Sequence, residues 1–260
     1  NVTVGGGTLS DLSGAGAVYT ATFTPNPSST VSGTVSVAVG KIADLAGNVN
    51  TVAARLTPIK VDTLPPTVKV TSTPGSLKIA GTSKLTFILS EASTTFTADD
   101  VTVTGGTISG FAGTGAAYSA TFMPTAGFEG EGTVSIAAGS FLDAAGNGNL
   151  AGDLATPIKI DTLAPTVLIT SDLATLTAGQ TTTIRVTLSE PSTTFKVTSL
   201  SVTNGTLSNF VAVSATSYTV TFTPKAAFKG TATVSVLAGK FTDALGNGNI
   251  ASSLLSLSIT

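Results

Sequence analysis

Three near-copies of one heptapeptide place an acid in the same local setting: "DLAGNVN" from Asp44, "DAAGNGN" from Asp143 and "DALGNGN" from Asp243. Taken alone, Asp-x-x-Gly-Asn is a good turn, because the acid caps nearby amides and Gly or Asn tolerates positive φ. Only 26 of the 260 residues are charged, however (12 Lys and Arg, 14 Asp and Glu), so repeated placement of acids stands out. Two further acids recur with the loop. Glu91 in "LSEASTTF" returns as Glu190 in "LSEPSTTF", and Asp62 in "VDTLPPTV" returns as Asp161 in "IDTLAPTV". Asp99 and Asp100 form an adjacent pair in "TADDVTV", where the later copy has Thr198 and Ser199. With Asp44, these account for nine of the 14 acidic residues. Carboxylates beside Asn side chains and a Gly-rich backbone are hard oxygen donors, and Ca²⁺ takes about 6–8 such oxygens in a tolerant geometry. Mg²⁺ suits the set less well because it keeps several of its waters. Zinc would call for His or Cys, and the chain has neither.

The elements that position these acids are copies of one unit. "VDTLPPTVKVTS" from Val61 returns as "IDTLAPTVLITS" from Ile160, a shift of 99, and "VYTATFTP", "AYSATFMP" and "SYTVTFTP" from Val18, Ala117 and Ser217 keep nearly the same spacing. Self-similarity at a fixed period indicates tandem repeats. Complete units are expected at 63–161 and 162–260. Residues 1–62 match only the latter part of a unit, because "NVTVGGGTLS" aligns with "DVTVTGGTIS" from Asp100. That first copy is expected to lack its opening two strands, which suggests a piece of a longer protein.

Within a unit the hydrophobic period is two, which argues for strands. Leu85, Phe87 and Leu89 alternate with Thr86, Ile88 and Ser90, and Ile184, Val186 and Leu188 alternate with Arg185, Thr187 and Ser189. About seven strands are expected, near 68–72, 84–90, 101–104, 107–111, 117–123, 133–138 and 155–161. The fold class is therefore all-β: tandem immunoglobulin-like sandwiches of about seven antiparallel strands, joined end to end into an extended rod. Proline in "TLPPT" and "TLAPT" removes a backbone donor and keeps each linker extended. If successive strands alternate in direction, Asp62, Glu91, Asp99, Asp100 and Asp143 meet at one pole of the second unit, and Asp161, Glu190 and Asp243 at the same pole of the third. The second junction then looks the poorer of the two, for want of an acidic pair.

Composition removes several classes of function. A net charge of −2 offers no basic face for nucleic acid, and no apolar run approaches the roughly 20 residues that span a bilayer. Without His or Cys, and with acids duplicated at two equivalent places, a catalytic centre and a small-molecule substrate are not expected. The aromatics, 12 Phe and three Tyr, fall mostly at inward positions, which disfavours a carbohydrate- or protein-binding module, the main alternative. Lys60 and Lys159 alternate with inward Ile59, Val61, Ile158 and Ile160, so an isopeptide cross-link through them is disfavoured too.

"DTLAPTV" (161–167), "LSEPSTTF" (188–195), "VTGGTISGF" (103–111) and "FLDAAGNGN" (141–149) in this order and spacing resemble the bacterial immunoglobulin-like repeats of large surface adhesins, the RTX and biofilm-associated type. The resemblance runs through the whole chain. It implies an extracellular extender at the bacterial cell surface whose partners are the neighbouring repeats. Calcium between domains would be held by Asp62, Glu91 and Asp143, then by Asp161, Glu190 and Asp243. Lateral self-association into a surface layer or sheath is a further implication, since the same module builds such assemblies.

Overall fold

The computed structural model describes every residue from Asn1 to Thr260. Five strands lie in the first unit: β1 (Val2–Gly5), β2 (Gly7–Ala15), β3 (Val18–Pro25), β4 (Thr34–Val37) and β5 (Ala54–Arg55). The second unit contains β6 (Val68–Thr73), β7 (Ser76–Leu77), β8 (Ser83–Ser93), β9 (Val101–Thr104), β10 (Gly106–Pro124), β11 (Glu129–Ile136), β12 (Gly152–Asp153) and β13 (Ile158–Asp161). The third repeats the plan with β14 (Val167–Ser171), β15 (Thr175–Leu176), β16 (Thr182–Leu188), β17 (Leu200–Thr203), β18 (Gly205–Ala212), β19 (Ser217–Pro224), β20 (Gly230–Val236) and β21 (Leu255–Ile259). The only helical turns are two three-residue 3₁₀ segments, Ala98–Asp100 and Val197–Ser199, and no helix is long and apolar enough to cross a membrane.

Each complete unit has two sheets. In the third they run β14-β16-β19-β18 and β15-β21-β20-β17. In the second they run β10-β8-β6 and β12-β11-β13-β7, with β9 also on β11. Alternation sets the buried face: Leu85, Phe87 and Leu89 of β8 point inward while Lys84, Ile88 and Ser90 are exposed, and Ile184, Val186 and Leu188 of β16 do the same. Fifteen buried residues form the second core and sixteen the third. Burying each large apolar side chain contributes about 1.5–3 kcal/mol. Tyr118 and Tyr218 are buried with them because each hydroxyl finds a carbonyl, Ser93 O at 2.7 Å and Ser192 O at 3.3 Å. Phe128 and Phe228 pack against the two cores from the side.

The opening strand of a complete unit is split, where one antiparallel strand is expected. Its first half, β6 or β14, pairs antiparallel with β8 or β16; its second half crosses to the other sheet and pairs parallel with the last strand. In the second unit Pro74 sits at the crossing, where its missing N–H cannot extend the first ladder. The first unit has a three-stranded sheet, β1-β4-β5, and a two-stranded one, β2-β3, with no counterpart of β6 or β8. Its inward face is consequently open. Tyr19 is 63% exposed, whereas the equivalent Tyr118 and Tyr218 are 7% and 5% exposed.

Candidate metal centres at the repeat junctions

Strand β8 carries Glu91 two residues before its end, the chain leaving β11 turns back through Asp143, and the linker enters through Asp62. The carboxylate oxygens of these three residues lie within 4.8 Å of one another, and those of Asp161, Glu190 and Asp243 form the same arrangement one unit later. Asp143, Asp161 and Asp243 are buried, the other three half-buried. No Lys or Arg forms an ion pair with either group; the single ion pair of the chain joins Arg185 to Asp172 elsewhere. Like charges at such a distance repel by roughly 1 to 3 kcal/mol per pair, depending on how far water screens them.

Each loop acid first builds its own turn. Asp143 Oδ1 accepts the N–H groups of Ala145 and Asn147, both at 2.8 Å, and Oδ2 accepts Asn147 Nδ2 at 2.7 Å. Asp243 accepts Gly246 N–H at 2.6 Å, Asn247 N–H at 2.9 Å and Asn247 Nδ2 at 2.7 Å. Asp44 makes the equivalent three bonds although no triad surrounds it. The heptapeptide is therefore a turn in every copy, and in two copies that turn also presents a carboxylate to the junction. Burial tends to raise the Asp143 pKa, but the donors from Asn147, Ala145 and Gly146 outweigh it and hold the group below the ordinary aspartate value. The Asn48 side chain and neighbouring amides lower Asp44 likewise.

Glu91 and Glu190 behave oppositely. Desolvation first, then the charges of Asp143 and Asp62, push the Glu91 carboxyl above the usual glutamate range. Desolvation, then Asp161, Asp243 and Glu129, do the same to Glu190. Neither glutamate accepts a hydrogen bond, while Asp62 and Asp161 each accept one, from the N–H groups of Leu64 and Leu163. A carboxylate has about four acceptor sites, so every acid of a triad keeps an uncommitted oxygen lone pair. Three hard anionic donors with free lone pairs and no counter-cation fit Ca²⁺, with further oxygens completing its shell.

Two expectations about this site need correction. Asp99 and Asp100 do not join the first triad. Asp99 is exposed, and the Asp100 carboxylate turns back to accept Thr97 N–H at 2.7 Å and the Thr97 hydroxyl at 3.2 Å, which closes the 3₁₀ turn. Ser199 does the same work in the third unit, accepting Lys196 N–H at 3.3 Å. Exchanging the acidic pair for Thr198 and Ser199 therefore takes nothing from the second junction. That junction in fact has an additional acid nearby, Glu129, which sits opposite Asp161 in the β11–β13 pairing and lines a 430 Å³ groove with Asp161, Glu190 and Lys159. The Asn side chains of the loop also differ from expectation. Asn149 is committed to the loop itself, its Oδ1 accepting Phe141 N–H and its Nδ2 donating to Ala137 O and Leu150 O. Asn147 and Asn247 turn their amide nitrogens toward the acids, donating to Asp62 O at 3.2 Å and Asp161 O at 2.9 Å as well as to the loop carboxylates.

The linker itself is fastened on both sides. Thr162 Oγ1 donates to Thr125 O at 2.7 Å and accepts Phe128 N–H at 2.9 Å in the upstream unit, while Ile250 N–H of the downstream unit reaches Pro165 O at 3.0 Å. Thr63, Asn26, Ser29, Leu150 and Pro66 repeat the pattern at the first junction.

Paired-sheet units repeated in tandem, each closed by the same acid-bearing turn, define a class of all-β immunoglobulin-like repeat proteins. The chain belongs to the bacterial Ig-like domain family, which matches it three times, at residues 1–61, 62–159 and 161–259. Among solved structures it is similar to FdeC, an Escherichia coli adhesin, at 19% identity over 100% of this chain and 85% of that one, with a TM-score of 0.45. Invasin, a bacterial integrin-binding protein, is similar at 13% identity over 100% of this chain and 52% of its own, with a TM-score of 0.40. The Yersinia pseudotuberculosis adhesin InvE is similar at 13% identity over 74% and 58%, with a TM-score of 0.29. No curated protein sequence matches the chain.

Proposed function

We propose that these repeats are non-catalytic extender modules of a bacterial cell-surface adhesin, and that Ca²⁺ at the two junctions stiffens the connection between successive units. The observation that carries this reading is the recurrence of one three-carboxylate group at both linkers, each built from a linker acid, a strand-end glutamate and a loop aspartate. A bound dication offsets two of the three negative charges that otherwise repel and bridges the carboxylates. Asp161 closes β13 of the upstream unit and Asp62 holds the same place before the first linker, whereas the remaining acids belong to the downstream unit, so a common ligand ties one unit to the next. Family membership, tandem repetition and the low density of charge on the surface fit a spacer better than a recognition module. The motif resemblance supports a position outside the cell for such a spacer.

The test is titration of the metal-depleted chain with CaCl₂, following heat of binding and melting temperature. Two sites and an upward shift in melting are expected; a ligand at 100 times its dissociation constant adds about 2.7 kcal/mol. Titration heats equal to those of dilution, with no shift in millimolar calcium, would remove the metal from the reading and leave the spacer role resting on the linkers alone.

A further inference from the structure

The second junction contains a contact that needs no metal. The loop between β7 and β8, Lys78–Thr82, reaches from the second unit onto the Asp243 turn of the third. Ile79 N–H donates to Asn247 Oδ1 at 2.7 Å, and Lys78 Nζ approaches Gly246 O at 3.3 Å. Asn247 thereby uses all of its side chain. Its Oδ1 takes Ile79, and its Nδ2 gives to Asp161 O and Asp243 Oδ2. Three pieces of chain, an upstream loop, the linker and a downstream turn, meet at one amide that is 2% exposed. Asn147 makes the same two donations at the first junction, yet its Oδ1 accepts nothing and it is only half-buried. The reason is upstream: residues 1–61 contain no β7–β8 loop to meet it.

We propose that the β7–β8 loop is a docking surface that recognises the Asp-x-x-Gly-Asn turn of the following repeat, with Asn247 as the positioning residue that fixes the angle between the second and third units whether or not calcium is bound. A neutral amide suits this place. It accepts from the upstream backbone with one atom while donating to a carbonyl and a carboxylate with the other, a combination no carboxylate can match. Asn247 is buried and the bond to Ile79 part-buried, so losing the Ile79 donor leaves a buried amide oxygen unpaired, which costs more than an exposed bond would return. The third unit has the equivalent loop, where Ala178 occupies the place of Ile79 by alignment. Ala178 N–H has no partner in this chain and serves as an internal reference.

Amide hydrogen exchange on the full chain in excess chelator tests the proposal, each amide being corrected for its intrinsic rate. Ile79 is expected to exchange about tenfold more slowly than Ala178, the factor one net hydrogen bond supplies. Asn247→Ala should bring Ile79 to the Ala178 rate and increase the angular averaging between the two units measured by residual dipolar couplings. Asn147→Ala, which removes the same turn bonds one unit earlier, should leave Ile79 protected. Equal exchange of Ile79 and Ala178 in the unsubstituted chain would overturn the docking surface, and that comparison needs no variant to fold. Continued protection of Ile79 in a folded Asn247→Ala chain would overturn the role of Asn247. Neither result bears on calcium, which the chelator has removed.

Discussion

Glu91→Gln should stabilise the metal-free protein and abolish its response to calcium at the first junction. Glu91 faces Asp62 and Asp143 within 4.8 Å. Even with the dielectric of water, each of those two like-charge pairs costs about 0.9 kcal/mol at that distance, and added salt reduces the sum. Neutralising Glu91 should then return about 1 kcal/mol to the chelated protein. Gln breaks nothing in exchange, because the Glu91 carboxylate accepts no hydrogen bond and the side chain is only half-buried. For a unit of about 100 residues, 1 kcal/mol moves the melting midpoint by about 4–8 °C. In millimolar calcium the sign reverses: the variant gives up one of three anionic ligands, and stabilisation of about 2.7 kcal/mol at 100 times the dissociation constant is lost. Scanning calorimetry of both proteins, each in chelator and in calcium, yields the four midpoints. Destabilisation by Glu91→Gln in chelator would refute the electrostatic reasoning, for it would mean that the charge is satisfied within the protein. A calcium shift unchanged by the substitution would refute its place among the ligands.

Acid should act on the chelated protein in two stages. Glu91 and Glu190 are raised in the folded state, so the fold binds their protons more tightly than the unfolded chain does, and stability rises as pH falls from neutral through the raised values. Asp143 and Asp44 are lowered, so their contribution, present above the ordinary aspartate value, is lost as pH falls through the lowered ones; urea midpoints from pH 7 to pH 2 should therefore pass through a mildly acidic maximum. Asp100→Ala should cost about 1 kcal/mol through its lost turn bonds yet leave the calcium-induced melting shift intact, and an equal loss of that shift would return Asp100 to the site. Tyr118→Phe removes a buried 2.7 Å bond to Ser93 O and should cost about 1–3 kcal/mol by urea denaturation, whereas the exposed Tyr19→Phe should be neutral.

Strand positions were legible in the sequence because a period of two in runs such as Leu85–Phe87–Leu89 reports one buried face directly. The repeat did the rest: Tyr118 and Tyr218 occupy equal places because their neighbours are equal. Glu91, Asp143 and Asp62 were legible as a group because each ends or follows a strand, and strand direction alone assigns it to a pole. Asp100 stands at the same pole but points the other way, and nothing in "TADDVTV" says that its carboxylate will close a turn three residues back. Glu129 was invisible because its nearness to Asp161 depends on which strands pair, not on repetition; its counterpart in the next unit is Lys229. The split of the opening strand escaped detection for a related reason. Two-residue segments such as Ser76–Leu77 are too short to show any period.

That split strand decides how a unit answers tension. The second half of the split strand and the last strand of a complete unit, β7 and β13 or β15 and β21, lie side by side and parallel, joined by bonds such as Lys159 N–H to Gly75 O at 3.0 Å and Thr260 N–H to Leu176 O at 2.9 Å. A force that draws the ends of the chain apart slides parallel neighbours lengthwise, so these bonds are loaded in shear and must fail together; an antiparallel pair pulled from one end would unzip a bond at a time. Forced unfolding is governed by the unfolding rate rather than by equilibrium stability. A short patch of parallel pairing would thus set the load at which a unit pulled end to end gives way.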